Sequence, residues 1–442
     1  MREMKDSGIE WIGKIPRHWI YPKITYILDT EHEYPIGDGD HGTIKADNYV
    51  QEGIPFIRVQ NLGFATPLRL DDVVYITKKQ NITIKNSTLK PDDILFAKTG
   101  ATIGKVGIVP KELLISNTTS HVGKITVNKK IIVPRFLFYA LSSTVGYKLL
   151  WDIAGQKSTR PELSIEEIKR LHIILPDSLQ EQQTIVDYLD AKCADIDSLT
   201  VDIQKQINIL KEYKKSVITQ AVTKGLDPNV EMKNTASPYW NKIPKKWCLS
   251  DIKYIFKIVK RIAGKEGFDI LSVTQKGLKI KDTSRNEGQI AENYKGYQFV
   301  YPGDFVMNHM DLITGWVDLS KLFGVTSPDY RVFKLRDNIQ NEAGYYKYVM
   351  QCCYSCRIFY SLGQGVSTLG RWRLQTSVFN NFLLPVPPTT EQKAIADFLD
   401  AKCADIDAII SGKQKQLDVL KEYKKSLIYE YVTGKKEVPC HE

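Results

Sequence analysis

The chain repeats itself. Residues 181–216 read EQQTIVDYLDAKCADIDSLTVDIQKQINILKEYKKS, and residues 391–426 read EQKAIADFLDAKCADIDAIISGKQKQLDVLKEYKKS. They align at an offset of 210 without a gap, with 23 identities in 36 positions. An ungapped match of that density marks a duplicated unit, so whatever this chain folds into is built twice. Fainter matches keep the same order. Lys14-Ile15-Pro16-Arg17-His18-Trp19 answers Lys242-Ile243-Pro244-Lys245-Lys246-Trp247. Pro91-Asp92-Asp93 answers Pro302-Gly303-Asp304, which brings Gly104 onto Gly315, and Leu175-Pro176 answers Leu384-Pro385. Each half is therefore a KIP-x-x-W leading segment, a divergent domain and a nearly invariant tail.

The tails are helices by period. Leu189, Ile196, Ile203, Leu210 and Val217 recur every seven residues, beside Cys193, Thr200, Ile207, Lys214 and Ala221. In the second copy Leu399, Ile406, Lys413, Leu420 and Leu427 do the same, beside Cys403, Ile410, Leu417, Lys424 and Tyr431. This is a heptad seam. Pro176 and Pro385 precede the helices, and Gly225 and Gly434 follow them, which is ordinary helix punctuation. About 44 residues at 1.5 Å each give roughly 65 Å. So long a solvated helix is poorly stable alone. The two helices are expected to pack on each other as an antiparallel pair; the alternative is that each folds back on its own domain.

The divergent domains read as mixed α/β. Residues 54–60, 73–77, 106–109 and 122–127 have strand character, and 134–151 reads as a helix. The second domain offers strands at 297–301, 304–308 and 330–335 and a helix near 344–360. The fold class expected is α+β: two similar mixed α/β domains separated by two long, coiled-coil-like helices. The boundaries are a first domain over 1–179, a helix over 180–225, a second domain over 226–389 and a helix over 390–434.

A net charge of +10 and a pI near 8.9 suit a polyanionic partner. Seven cysteines lack a framework spacing. Cys193 and Cys403 read as small core residues. Cys353 and Cys356 form a CxxC with no second pair to complete a zinc site, so the aromatic run 345–360 reads as a packed helix. The first residues lack the apolar stretch of a signal peptide, and no run reaches the roughly 18 apolar residues of a membrane span. A cytoplasmic protein with reduced thiols, away from membranes, is expected.

Catalytic motifs are not found. Gly100-Ala101-Thr102-Ile103-Gly104-Lys105-Val106 has three residues between its glycines where a P-loop has four, and Val106 stands where Mg²⁺ needs a hydroxyl; it reads as a strand and turn. The Asp92-Asp93 pair lacks the further acid and lysine of a metal nuclease. There is no adenine-methyltransferase motif, no S-adenosylmethionine loop and no histidine pairing for metal.

Taken together, the duplicated layout, KIP-x-x-W, LP…EQ and LD-x-x-x-x-x-ID followed by LKEYKKS resemble the specificity subunits of type I restriction-modification systems, over nearly the entire chain. Segments at Gly155/Ser158-Thr159 and Gly365/Ser367-Thr368 resemble that family too. The resemblance implies two target-recognition domains, each reading half of a split double-stranded DNA site, and a helical spacer that docks two methyltransferase subunits. It also implies restriction subunits that translocate DNA. No cofactor is expected in this chain; S-adenosylmethionine, ATP and Mg²⁺ belong to the partner subunits. Two other readings stay open: a self-contained nuclease, and a coiled-coil scaffold that binds only proteins.

Sequence readers combine cations for phosphates with Arg, Lys, Asn and Gln for base edges. In the first domain the candidates for DNA contact are His41, Lys45, Arg58, Gln60, Asn61, Lys98, Thr99, Asn117, Ser120 and Arg160. In the second they are Asn308, His309, Arg331, Gln364, Arg371 and Arg373. For partner binding and spacing, the candidates are the seam residues Leu189, Ile196, Ile203, Leu210, Val217, Leu399, Ile406, Leu420 and Leu427.

Overall fold

The computed structural model describes residues 2–10, 12–40, 42–155, 161–282, 293–365 and 372–439. The chain divides into two units. One joins Met1–Ile203 to Lys415–Glu442, and the other is Gln204–Gln414. Both mix helices with antiparallel strands, an α+β fold.

The first unit is centred on a four-stranded antiparallel sheet in the order Ile36–Asp38, Val122–Ile125, Ile94–Ala97, Val106–Ile108. Ile94 faces Ile125 on one neighbour and Ile108 on the other. The strand Ile94–Ala97 is buried along its whole length. The sequence reading missed it, because an apolar run of four has neither the strand nor the helix period. Helix Pro134–Ser142 packs on this sheet, and Thr144–Ala154 packs on that helix. One continuous helix was expected over 134–151. Ser143 breaks it, leaving helical geometry and accepting a hydrogen bond from the Gly146 amide at 3.1 Å as the cap of the second helix. A separate three-stranded sheet, Val74–Ile76, Ile54–Ile57 and Asn117–Thr118, is peculiar to this unit.

The second unit repeats the central sheet with the same topology. Phe256–Val259, Arg331–Leu335, Phe305–Met307 and Val317–Leu319 lie side by side, again first, fourth, second, third in chain order. Phe256, Phe305 and Phe333 meet in its core. Here the added parts are a hairpin, Leu271–Thr274 with Gly277–Ile280, and the pair Gln298–Val300 with Gly324–Thr326. The expected helix near 344–360 is Ala343–Ser355 followed by Ile358–Ser361; Arg357, at φ 57°, interrupts it.

Two long helices, Leu179–Lys224 and Thr389–Val432, carry the repeated tails. Within the first unit, Leu189, Cys193 and Ile196 share one buried cluster with Leu427, Ile428, Tyr431 and Val432, and with Trp19, Phe136 and Ile168 of the domain. The rings of Tyr188 and Tyr431 lie 4.6 Å apart, tilted by 40°, and Lys424 Nζ meets both Asp197 oxygens at 2.7 and 2.8 Å. Within the second unit, Ala221 and Val222 share a cluster with Leu399, Cys403 and Ile395, and with Trp247 and Tyr345. Lys214 Nζ meets Asp407 at 2.7 and 2.6 Å, and Lys413 donates to Gln206. In both units the two stretches run antiparallel and also seat on the domain, so the two packings posed as alternatives coexist. Ile406 is buried, while Ile203, Leu210, Val217 and Leu420 are half-buried, because in their stretches only one face is covered. Lys413 and Lys424, at apolar-period positions, turn their ammonium groups to partners on the facing helix.

Candidate nucleic-acid interface

The repeated motifs build the joint between each domain and its helix. The Trp19 indole donates to Glu181 at 3.1 Å, and the Trp247 indole donates to Glu391 at 3.0 Å. Gln182 is fully buried; it accepts from the Val133 amide at 2.8 Å and donates to the Pro176 carbonyl at 2.9 Å. Gln392 does the same with the Glu342 amide and the Pro387 carbonyl, both at 2.9 Å. Asp190 accepts from Tyr139 at 2.6 Å and Arg135 at 2.5 Å, as Asp400 accepts from Tyr348 at 2.6 Å and Lys347 at 2.7 Å. Burial, then the bond to the carboxylate, pushes both phenols above the usual tyrosine range. Burial opposes ionisation of Glu181, but His18, Trp19 and Arg2 together hold it below the usual carboxylate range. Gly434, at φ 67°, closes the joint of the first unit; a Cβ there would meet Pro16 at 2.4 Å. These contacts account for KIP-x-x-W, EQ and LD as a docking set that recurs while the domain surfaces differ.

The residues expected to touch DNA separate on inspection. Asn61 and Asn117 are fully buried. The Asn61 amide group donates to Arg69 and Asp72 and its oxygen accepts from the Arg58 amide. Asn117 is held among Ser87, Asn81 and Ile84. Arg58 donates to the Asp72 carbonyl and Gln60 to its carboxylate, both at 2.8 Å, so this trio organises a turn around Asp72. Arg331 is buried against the ring of Phe379, 4.4 Å from its centroid, and donates to the Leu374 carbonyl at 3.1 Å. For Asn61, Asn117 and Arg331 the expectation of base contact is corrected: a long internal partner list, invisible in sequence, fixes them inside. Lys45 is exposed. His41, Arg160 and Arg371 lie outside the described residues.

What remains gathers at one corresponding place in each unit. In the first, Lys98 and Thr99 follow the central strand. The Lys98 ammonium pairs with Asp38, its carbonyl accepts from Leu163 at 2.9 Å, and Thr99 reaches His121 Nδ1 at 3.3 Å. Ser120 lies alongside, its amide on the Asp40 carbonyl at 3.1 Å. In the second, Asn308 and His309 follow the equivalent strand, and the His309 carbonyl accepts from Leu374 at 3.0 Å. That crossing segment carries Arg373, exposed and bridged backbone to backbone with exposed Gln364; Gln375 donates to Gln364 Oε1 at 2.6 Å. Burial, with Arg331 and Arg373 beside it, brings the His309 imidazole down to about 3. It is neutral at physiological pH, beside two cations. Sequence reasoning missed His121, and also Gln275, which extends the hairpin of the second unit to the Thr314 carbonyl at 3.4 Å. Adjacency to Lys98 across the sheet would have been the signal for His121, and strand pairing is what a single sequence hides.

Among the described residues no group of three or more His, Cys, Asp or Glu could hold a metal, and no helix is long and apolar enough to cross a membrane. Residues 40–210 match the family described as type I restriction modification DNA specificity domain. A putative type I restriction enzyme MjaX specificity subunit of Methanocaldococcus jannaschii is 24% identical over 447 residues, covering 96% of this chain and 95% of the relative. The EcoBI specificity subunit of Escherichia coli is 28% identical over 208 residues, 47% of this chain and 42% of that one. Two solved structures share the fold. One, from work on complex assembly and conformational transition of the type I R-M system, covers 96% of this chain and 99% of its own at a TM-score of 0.67 and 12% identity. The other, the HsdS subunit from Thermoanaerobacter tengcongensis, covers 98% and 100% at a TM-score of 0.50 and 13% identity. With its duplicated joint, its α+β units and these matches, the chain is similar to the specificity subunits of type I restriction-modification systems, and residues 40–210 match the DNA specificity domain of that family.

Proposed function

We propose that the chain is the non-catalytic reader of a bipartite double-stranded DNA site. Its two domains, 1–179 and 226–389, are target-recognition domains, each reading one half-site. The helices over 180–225 and 390–434 space them and dock two methyltransferase subunits, with restriction subunits added to that assembly. Chemistry resides in the partners: S-adenosylmethionine with the methyltransferases, ATP and Mg²⁺ with the translocating nuclease. A base to be methylated is flipped into the partner's pocket. The complex works in the cytoplasm.

The observation that carries this reading is the contrast between the joint and the loops. The same tryptophan–glutamate, buried-glutamine and tyrosine–aspartate contacts seat both domains. The loops after the central strand, Lys98-Thr99 and Asn308-His309, differ in every side chain. Two readers of different half-sites on one scaffold need that division. Phosphate contacts by the basic chain supply affinity, and the loops supply sequence.

The test is domain exchange. Residues 20–175 are replaced by the corresponding domain of a relative with another target, and methylated sites are mapped across the host genome. One half-site changes and the other stays. A variant that changes both half-sites, or neither while remaining active, removes the two-reader assignment.

A further inference from the structure

Three cysteines crowd the end of the helix Ala343–Ser355 in the second unit. Sequence spacing pairs Cys353 with Cys356, but the helix pairs differently. Residues four apart share a face, and the sulfurs of Cys352 and Cys356 lie 3.8 Å apart, while Cys353 turns into the core. Cys352 is buried and Cys356 half-buried, so Cys356 is the more accessible residue of the pair. Cys356 stands just past the last helical residue as the C-cap, with left-handed Arg357 next. Its backbone is therefore freer to shift than a mid-helix position.

The surroundings suit a reactive thiol with a neighbour. Thr219, on the long helix Leu179–Lys224, donates its hydroxyl hydrogen to the Lys215 carbonyl at 2.8 Å. Its oxygen is left to accept from thiols, 3.6 Å from Cys352 and 3.5 Å from Cys356. The Cys352 thiol beside it draws Cys356 below the ordinary thiol range; burial opposes this, and Thr219 and the Lys215 charge assist. Cys352 is raised in turn. A thiolate-forming, half-buried cysteine next to a protonated one is the arrangement of an attacking and a resolving cysteine.

We propose that Cys352 and Cys356 form a dithiol that hydroperoxides oxidise to a disulfide. The Cys356 thiolate attacks one peroxide oxygen; the O–O bond breaks, and the departing oxygen leaves with a proton as water or alcohol. Cys356 is then a sulfenic acid. Cys352 gives up its proton and attacks that sulfur; the S–S bond forms, the S–O bond breaks, and the hydroxyl leaves with the proton as water. Two thiols lose two electrons and the peroxide gains them. The sulfurs must close from 3.8 Å to about 2.05 Å, and the shift falls on the cap at Cys356.

The test uses the full chain, reduced, then exposed to hydrogen peroxide, unfolded in guanidinium chloride and blocked there with N-ethylmaleimide, reduced again, labelled with iodoacetamide and digested with trypsin. The peptide 348–357 holds all three cysteines. Maleimide on Cys353 alone, with the second label on Cys352 and Cys356, is the expected result. C353S keeps the oxidation and C356S abolishes it. The assignment is overturned if all three carry maleimide at a peroxide dose that oxidises exposed Cys248, or if the second label falls on Cys353 and Cys356. Should either variant fail to fold, the label positions in the parent chain still decide.

Discussion

Arg331 and Arg373 carry the same charge in opposite surroundings. The Arg331 guanidinium is spent on Phe379, the Leu374 carbonyl and the Thr376 hydroxyl, whereas Arg373 is exposed. Arg331→Ala is expected to cost about 1–3 kcal/mol of stability, because buried acceptors lose their donor, as chemical denaturation would measure. Arg373→Ala should leave unfolding unchanged and weaken DNA binding, lowering the salt slope by about one. An Arg373→Ala complex with unaltered affinity and slope takes this residue off the interface. His309 gives a pH signature. Its imidazole sits at about 3 in the folded chain against 6.5 ordinarily, burial being the first cause. The unfolded chain thus binds the extra proton first. The contribution to stability is whole above pH 6.5 and drains away as pH falls toward 3. His309→Gln should flatten the unfolding free energy over that window; an undiminished acid slope would assign the loss to another group.

Elements show how the helices are matched. Lys424 reaches back to Asp197, and Lys214 reaches Asp407; the two lysines and the two aspartates are each 210 positions apart. The same contact is thus made twice, with the helices exchanging roles. Both pairs are partly exposed, so each is worth no more than about 1 kcal/mol. Lys424→Asp alone should destabilise the first unit, by repulsion from Asp197, and adding Asp197→Lys should restore it; a double variant no better than the single would mean the pair is incidental. This level was the most legible in sequence. A seven-residue apolar period and a 210-residue offset need only the chain itself, and Leu189, Cys193, Leu399 and Cys403 are buried where the period puts them. The candidate interface was legible only in part. Lys98 and His309 could be aligned through the repeat. That Asn61 would be consumed by Asp72, eleven residues on, or Asn117 by Ser87, thirty residues back, depends on loop geometry that no period records. The breaks at Ser143 and Arg357 escaped for a related reason, since the apolar pattern runs through both.

At the scale of the whole chain, the two units differ in how their residues are strung. The second is one unbroken stretch, Gln204–Gln414. The first cannot finish its core without Leu427, Ile428, Tyr431 and Val432, from the far end of the sequence. A ribosome adds roughly 5–20 residues each second, and domains ordinarily fold from the N-terminus onward. Here the order is inverted. Everything Gln204–Gln414 needs has been made while Leu189, Cys193 and Ile196 still lack their cover, and that apolar face waits through more than two hundred further residues of synthesis. A chain halted at residue 414 should therefore resist protease across its second half and be cut readily between 180 and 203. Equal resistance in both halves would mean the first domain completes itself without the last helix. The half translated first is the half that settles last, and it is the one most in need of a chaperone while the rest is being made.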